Sequence, residues 1–210
     1  MKISDEQYVE SLYMEDDDLA RVKAGLAAHG MPDISVHDGY GRLLTLLVAM
    51  SGASRLLEIG ALGGYSGICL VRGLKGEGSL VSLELLPNYA EVAQAHMNAA
   101  GLGDKVTYII GDAKESLTKL KEAGRTFDFF FIDADKEGYP VYLNEAIALA
   151  EPGAVIVGDN ILLRGRTTNM DKQGPSVQAV RSFNEAIASD ERLISTILPG
   201  YDGLAIAIVK

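Results

Sequence analysis

The sequence predicts an α/β protein: a doubly wound, mostly parallel, seven-stranded sheet finished by a carboxyl-terminal antiparallel hairpin. Three observations carry this. From residue 55 onward, short apolar runs alternate with helical stretches, the order that builds a parallel sheet with helices on both faces. The run Phe127–Ile132 is nearly continuous in apolar residues, as a strand buried on both faces requires. The last two runs, Leu193–Leu198 and Leu204–Val209, are joined only by residues 199–203, too few to cross to a parallel neighbour.

In order, the amino-terminal part carries two or three amphipathic helical patterns. Leu19, Val22, Lys23 and Leu26 make one, and Leu43, Leu44, Leu47 and Val48 another, with a breaker cluster at residues 29–33 between them. Arg55–Ile59 reads as the first strand, with a helix from about Gly64. Residues 79–83 make the second strand and 88–100 the next helix, closed by Gly101. Val106–Ile110 and Phe127–Ile132 are strands three and four, and a helix starts near Glu137. Residues 155–157 are the fifth strand, after the turn Glu151-Pro152-Gly153. No repeat or linker divides the chain. Residues 1–210 are therefore expected to form one domain, with 1–52 as an amino-terminal helical extension.

Composition narrows the function. The chain has 210 residues, 48% apolar and 23% charged, with 19 basic and 29 acidic side chains for a net charge of −10. Such a surface repels phosphate backbones, so no nucleic-acid partner is expected. No apolar run reaches the roughly 18 residues of a membrane span, and residues 1–10 lack the apolar stretch of a secretory signal. The lone Cys69 lies in an apolar helical pattern and reads as buried filler. A cytoplasmic protein without membrane contact is the expectation.

Two groups of residues carry chemistry. Gly60, Gly63 and Gly64 follow the first strand and open a helix, so the backbone can turn tightly and offer free amides to an anion. Ser66 stands beside those amides. Glu84 ends the second strand, 24 residues after Gly60, where a carboxylate can accept hydrogen bonds from ribose hydroxyls or simply meet solvent. Gly111-Asp112-Ala113 follows the third strand, a place suited to an adenine edge. Glu58, just before the glycines, would repel a pyrophosphate and suits an ammonium group. The second group is Asp133, after strand four, with Asp159-Asn160 after strand five. Two carboxylates and an amide on one rim make a hard-cation site for Mg²⁺, Mn²⁺ or Ca²⁺, with open positions for substrate oxygens. Each Asp taken alone also fits a helix cap. Lys136 reaches the same rim and reads as a general base, or as a surface cation beside Asp135 and Glu137. Tyr139 and the breaker-rich residues 163–175 are expected to shape acceptor choice.

These pieces resemble the cation-dependent class I S-adenosylmethionine O-methyltransferases that include the caffeoyl-CoA and catechol enzymes. The matching stretches are Glu58-Ile59-Gly60, Gly64-Tyr65-Ser66, Gly111-Asp112-Ala113, Asp133-Ala134-Asp135-Lys136 and Gly158-Asp159-Asn160, within a likeness running from about residue 32 to 210. The resemblance implies a Rossmann-like fold with S-adenosylmethionine held by Val36, Glu58, Gly60, Ala61, Ser66, Glu84, Ala113 and Asp133. It implies a cation held by Asp133, Asp159 and Asn160, with Lys136 catalytic and a small catechol-type substrate. A homodimer is the expected assembly. Leu62 stands at the middle glycine of the family's loop, Ala61 where threonine is frequent, and His37 where proline is frequent. A nicotinamide dehydrogenase and a nucleic-acid methyltransferase are the competing readings.

Overall fold

The computed structural model describes residues 3–210. Three helices precede the first strand: α1 (Asp5–Glu10), α2 (Asp17–Ala28) and α3 (Asp38–Ser51). Then follow β1 (Arg55–Ile59), α4 (Tyr65–Gly73), β2 (Ser79–Glu84), α5 (Pro87–Ala99), β3 (Val106–Ile110), α6 (Ala113–Glu122) and β4 (Phe127–Ile132). The chain ends with α7 (Tyr139–Leu149), β5 (Ala150–Asp159), α8 (Pro175–Ser189), β6 (Leu193–Leu198) and β7 (Leu204–Val209). Among the described residues no helix is long and apolar enough to cross a membrane.

The seven strands form one sheet in the order β3-β2-β1-β4-β5-β7-β6. The first five are mutually parallel, and β7 runs antiparallel to both β5 and β6. The fold class expected from the sequence is therefore the observed one. Alternate residues of β4 feed two different cores, as a period of two demands. Phe130 and Ile132 pack with α6, α7 and α8, whereas Phe129 and Phe131 pack with α2, α3, α4 and α5.

Three details depart from the sequence reading. Helices α6 and α8 follow Gly111-Asp112 and residues 163–174, segments after which the sequence reading places no helix. The fifth strand begins at Ala150 instead of residue 155, because Phe127 pairs with Ala150 and Phe129 with Val155. Glu151-Pro152-Gly153 is thus an outward bulge within the strand, with Gly153 at φ 87°. And α7 starts at Tyr139, after a 3-10 turn over Lys136–Gly138 capped by the Asp135 carboxylate, which accepts from the Gly138 amide at 2.9 Å. Cys69 is buried filler as expected, and burial pushes its thiol up to about 12.

Strand order reverses between β1 and β4, since β2 and β3 lie to one side of β1 and β4 and β5 to the other. At such a switch point the loops leave in opposite directions and open a crevice at the carboxyl ends of the strands. Gly60 sits at this junction with φ 101°, and a Cβ added there would lie 2.2 Å from the Asp133 carbonyl oxygen. Only glycine satisfies both the dihedral angle and the contact. Gly76 has a similar need for positive φ (68°) but open space around it. Gly76→Ala is expected to cost about 1 kcal/mol from backbone strain alone. Gly60→Ala is expected to cost at least about 2 kcal/mol more, because the β1 and β4 ends must separate. Denaturant unfolding of the two variants measures the difference; equal losses would remove the steric argument.

Candidate active site

The crevice at the switch point is a cavity of about 950 Å³. Its floor is the glycine loop after β1, its walls are the loops after β2, β3, β4 and β5, and residues 33–37 cover one side. Val36, Gly60, Ala61, Ser66, Glu84, Ala113, Asp133, Lys136 and Asn160, all singled out from the sequence, line it. Glu58 and Asp159 lie one layer deeper, and both are fully buried.

The glycine loop is held from both flanks. The Gly60 amide donates to the Leu83 carbonyl at 2.9 Å, and the Asp133 amide to the Ile59 carbonyl at 3.0 Å. Glu84 then fastens the loop to β2. One of its oxygens accepts from the Ala61 and Leu62 amides at 3.2 and 3.0 Å, and the other from the Leu86 amide at 3.0 Å. A carboxylate has about four lone-pair sites, so capacity remains for ribose hydroxyls. This latching role was not visible in sequence, because Leu62 and Leu86 carry no polar side chain that would mark it. Behind the loop, the His96 ring contacts the Gly63 carbonyl through Nδ1 at 2.8 Å.

Helix α4 begins right after the loop. Its N-cap, Gly64, makes no side-chain capping bond, so the amides of the first turn face the cavity end without an internal acceptor. Ser66 lies in that turn. Its hydroxyl donates to Glu58 Oε1 at 2.5 Å, and Ser82 donates to Glu58 Oε2 at 2.5 Å. Burial, aided by the charges of Asp133 and Glu84, pushes the Glu58 carboxyl up to about 7. Glu58 therefore meets the cavity through Ser66 and not directly. The sequence reading sets this carboxylate toward a cofactor ammonium; in the structure it stands just behind the cavity wall, with Ser66 in between.

On the opposite wall, Lys136 Nζ donates to Asp133 Oδ1 at 2.9 Å and to Asn160 Oδ1 at 3.2 Å. It also donates to the Tyr139 hydroxyl, which in turn donates to the Asp159 carbonyl at 2.7 Å. Tyr139 is fully buried and does not line the cavity, so it supports Lys136 from behind and cannot shape acceptor choice as expected from sequence. Tyr142 lines the wall instead and donates to Asp135. Asp159 Oδ1 accepts the Asn160 amide at 2.7 Å, while Oδ2 is buried with no partner. Burial first, then the Asp133 charge, pushes the Asp159 carboxyl up to about 7.

An orphaned buried carboxylate oxygen calls for a cation or a proton. Asp133 and Asn160 already converge on one ammonium, so their oxygens are oriented to bind positive charge. Among the described residues no three His, Cys, Asp or Glu side chains are placed to hold a metal ion by themselves, and the donor set here, two carboxylates and an amide oxygen, suits a hard cation better than zinc.

Residues 163–175 are pinned instead of free. Arg181 donates to the Thr167 and Asn169 carbonyls at 2.9 and 2.7 Å, and the Arg164 amide donates to Asp202. Arg164 and Arg166 line the cavity. Tyr201, from the β6–β7 turn, lines it too and stacks on His37 with centroids 4.7 Å apart. Sequence reading treated this turn only as a connection.

Known proteins share this fold and much of this sequence. The family model described as O-methyltransferase matches residues 6–210. A relative from Niastella koreensis named catechol O-methyltransferase is 41% identical over 202 residues, 93% of this chain and 91% of its own length. The crystal structure of the O-methyltransferase from Bacillus cereus in complex with SAH has a TM-score of 0.91 at 40% identity, covering 97% of this chain and 96% of that one. An O-methyltransferase of Streptomyces achromogenes involved in tomaymycin synthesis, solved with SAM, has a TM-score of 0.89 at 36% identity, covering 98% and 95%. The dehydrogenase and nucleic-acid readings find no support in these relatives. The chain belongs to the O-methyltransferase family and is an S-adenosylmethionine-dependent enzyme.

Proposed function

We propose that the enzyme moves the methyl group of S-adenosylmethionine to one hydroxyl of a small catechol-type vicinal diol, with a divalent cation, Mg²⁺ foremost, in the site. The observation that carries this is the unpartnered Asp159 Oδ2 beside Asp133 and Asn160, whose oxygens already share one ammonium. Asp133, Asp159 and Asn160 would hold the cation. When bound, such an ion stabilises a phenolate over its phenol as a Lewis acid. The name of the Niastella relative is consistent with this acceptor class.

On the cofactor side, Gly60 and Ala61 let the backbone approach the ligand, Val36 covers it, and Glu84 and Ala113 flank the ribose and adenine. Ser66 and the first turn of α4 hold the carboxylate, and Asp133 faces the ammonium. S-adenosylmethionine supplies an electrophilic methyl whose carbon–sulfur bond breaks as the carbon–oxygen bond forms. Lys136, once it has lost its own proton to solvent beside the bound cation, would accept the proton of the attacking hydroxyl, and its three hydrogen-bond partners fix where that nitrogen stands. Orientation of the two reactants across the crevice supplies much of the acceleration.

The same reading extends to assembly and place. Residues 1–210 would act as one domain with 1–52 as a helical extension, in a cytoplasmic homodimer.

A methyl-transfer assay over dihydroxycinnamates, flavonoids and simple catechols, with and without EDTA, tests the central claim. Chelation is expected to abolish transfer and Mg²⁺ to restore it, while SAH binding survives; full activity in EDTA would remove the cation. Asp159→Ala is expected to lower diol methylation at least about a hundredfold, with SAH affinity within about threefold of wild type, read by calorimetry. Loss of SAH binding would instead make Asp159 structural. Lys136→Ala is expected to lower kcat by about 10²–10⁴ at unchanged SAH affinity, and retained turnover would reduce Lys136 to a bystander.

A further inference from the structure

Two glycines of the loop after β1 are demanded by the helices packed behind them. A Cβ added at Gly63 would lie 2.5 Å from Leu26 Cδ2 on α2. Gly64, at φ 85°, presses on α5, where the Ala93 carbonyl oxygen would lie 3.2 Å from an added Cβ. The Gly63–Gly64 peptide is thus sandwiched between α2 and α5, immediately before the α4 amides that face the cavity. A peptide between two glycines has wide conformational freedom, so its orientation has to be fixed by bonds from its surroundings.

His96, buried on α5, supplies one of those bonds. Its Nδ1 stands 2.8 Å from the Gly63 carbonyl oxygen. A carbonyl only accepts, so Nδ1 carries the proton and donates. At the other end of the same peptide, the Gly64 amide donates to the Ala61 carbonyl at 2.8 Å. The imidazole is held in turn by α2. A Cβ added at Gly25 would lie 2.2 Å from Nε2 and 2.5 Å from Cε1, so α2 reaches the ring only where it has no side chain. Helix α2 is itself fastened to α4, whose Arg72 pairs with Asp16 and Asp18 at 2.6 Å each. A chain of contacts therefore runs from α2 through Gly25 and His96 to the Gly63 carbonyl and the first turn of α4.

We propose that His96 is a positioning residue for the cofactor: it fixes the Gly63–Gly64 peptide at the start of α4, and α2 seats its ring, so that docking of the amino-terminal extension and cofactor binding are coupled. His96 does not line the cavity and acts through the loop alone. Such coupling is reciprocal, so the cofactor also steadies α2. This rests on the reading above that the glycine loop and the first turn of α4 hold S-adenosylmethionine.

Calorimetry of the whole protein with SAH, together with methyl-transfer kinetics, tests it. His96→Leu fills the space but leaves the Gly63 carbonyl without its donor. It is expected to weaken SAH binding about tenfold and to raise the KM for S-adenosylmethionine by a similar factor. Its kcat at saturating cofactor is expected to stay within about twofold of wild type, because Lys136 stands on the opposite wall. His96→Asn keeps an amide donor near the place of Nδ1 and is expected to bind SAH within about threefold of wild type. Gly25→Ala displaces the ring and is expected to weaken SAH binding at least about fivefold; adding His96→Asn, whose shorter side chain leaves room for the methyl, is expected to restore most of that loss. Hydrogen exchange across Val22–Leu26 is expected to slow on SAH binding more in wild type than in His96→Leu. Unchanged SAH affinity in His96→Leu or in Gly25→Ala would overturn the proposal. So would a His96→Asn enzyme as weak as His96→Leu, a loss confined to kcat, or exchange in α2 that ignores SAH. If His96→Leu does not fold, Gly25→Ala with and without His96→Asn decides the matter. A Ser66→Ala enzyme that binds SAH like wild type would instead overturn the underlying placement of the cofactor.

Discussion

The close approach of β1 to β4 at their carboxyl ends is the constraint from which the site follows. Three backbone hydrogen bonds carry the ladder one residue beyond the strands: Gly60 to Leu83, Asp133 to Ile59, and Gly111 to Glu84. Each of these loops therefore leaves the sheet from a fixed height. The lack of a side chain at Gly60 lets the Asp133 backbone close over it. A cofactor loop and a carboxylate are thus held a single backbone's width apart, with no side chain between them. Glu84 completes the arrangement by binding the next two amides of the loop. Positions set by a buried sheet tolerate little displacement, which suits a reaction that depends on the alignment of two bound reactants.

That geometry crowds acids. Glu58, Glu84, Asp133 and Asp159 converge on the crevice of a protein whose net charge is already −10. Each is answered differently. Glu84 receives three amides, and Asp133 receives Lys136. Asp159 receives one amide on one oxygen and nothing on the other, and Glu58 receives two neutral hydroxyls. The last two are the pair whose carboxyls are pushed up to about 7. For Glu58 the linkage sign is definite. The folded state binds its proton more tightly than an unfolded chain does, so its contribution to stability is complete below about 4.5, the ordinary carboxyl value. It is lost as pH rises through about 7. A ligand that answers these charges stabilises the folded protein on binding.

Most of this was legible in the chain itself, and the reason is physical. The strands of a doubly covered sheet must be apolar along their whole length, so Phe127–Ile132 declares itself, and the polar residues that end such runs fall on one rim. Asp133, Asn160 and the glycine loop could be placed on that logic alone. What escaped was set by contacts between segments distant in sequence. Nothing local marks Glu84 as a latch for Ala61 and Leu62, or Tyr139 as the buried support of Lys136. The partners that enclose Glu58 are of the same kind. Period two along β1 assigns it a face, yet only packing of Ser66 and Ser82 against it shows that the face is closed. Val177, Val180, Phe183 and Ile187 of α8 have helical spacing, but the breaker-rich residues before them read as a loop.

The two ends of the crevice are built by different means, and this bears on how such an enzyme changes substrate. The end proposed for the cofactor is made largely of backbone: positive-φ glycines, loop amides and a helix terminus, all tied to the sheet. The end proposed for the acceptor is made of side chains from segments with no common strand. Tyr201 comes from the β6–β7 turn, His37 from the segment before α3, and Arg164 and Arg166 from the loop after β5. They are joined to each other more than to the sheet. Tyr201 stacks on His37 and bonds Glu10, Glu10 pairs with Arg42 at 2.7 Å, and Asp202 receives the Arg164 amide. Half-exposed contacts of this kind contribute little stability individually. Replacing one alters the shape and charge presented to an acceptor without disturbing the β1–β4 junction. Lys136, Asp133 and Asn160 stand where the two ends meet, so the chemistry can stay constant while the acceptor wall is remodelled.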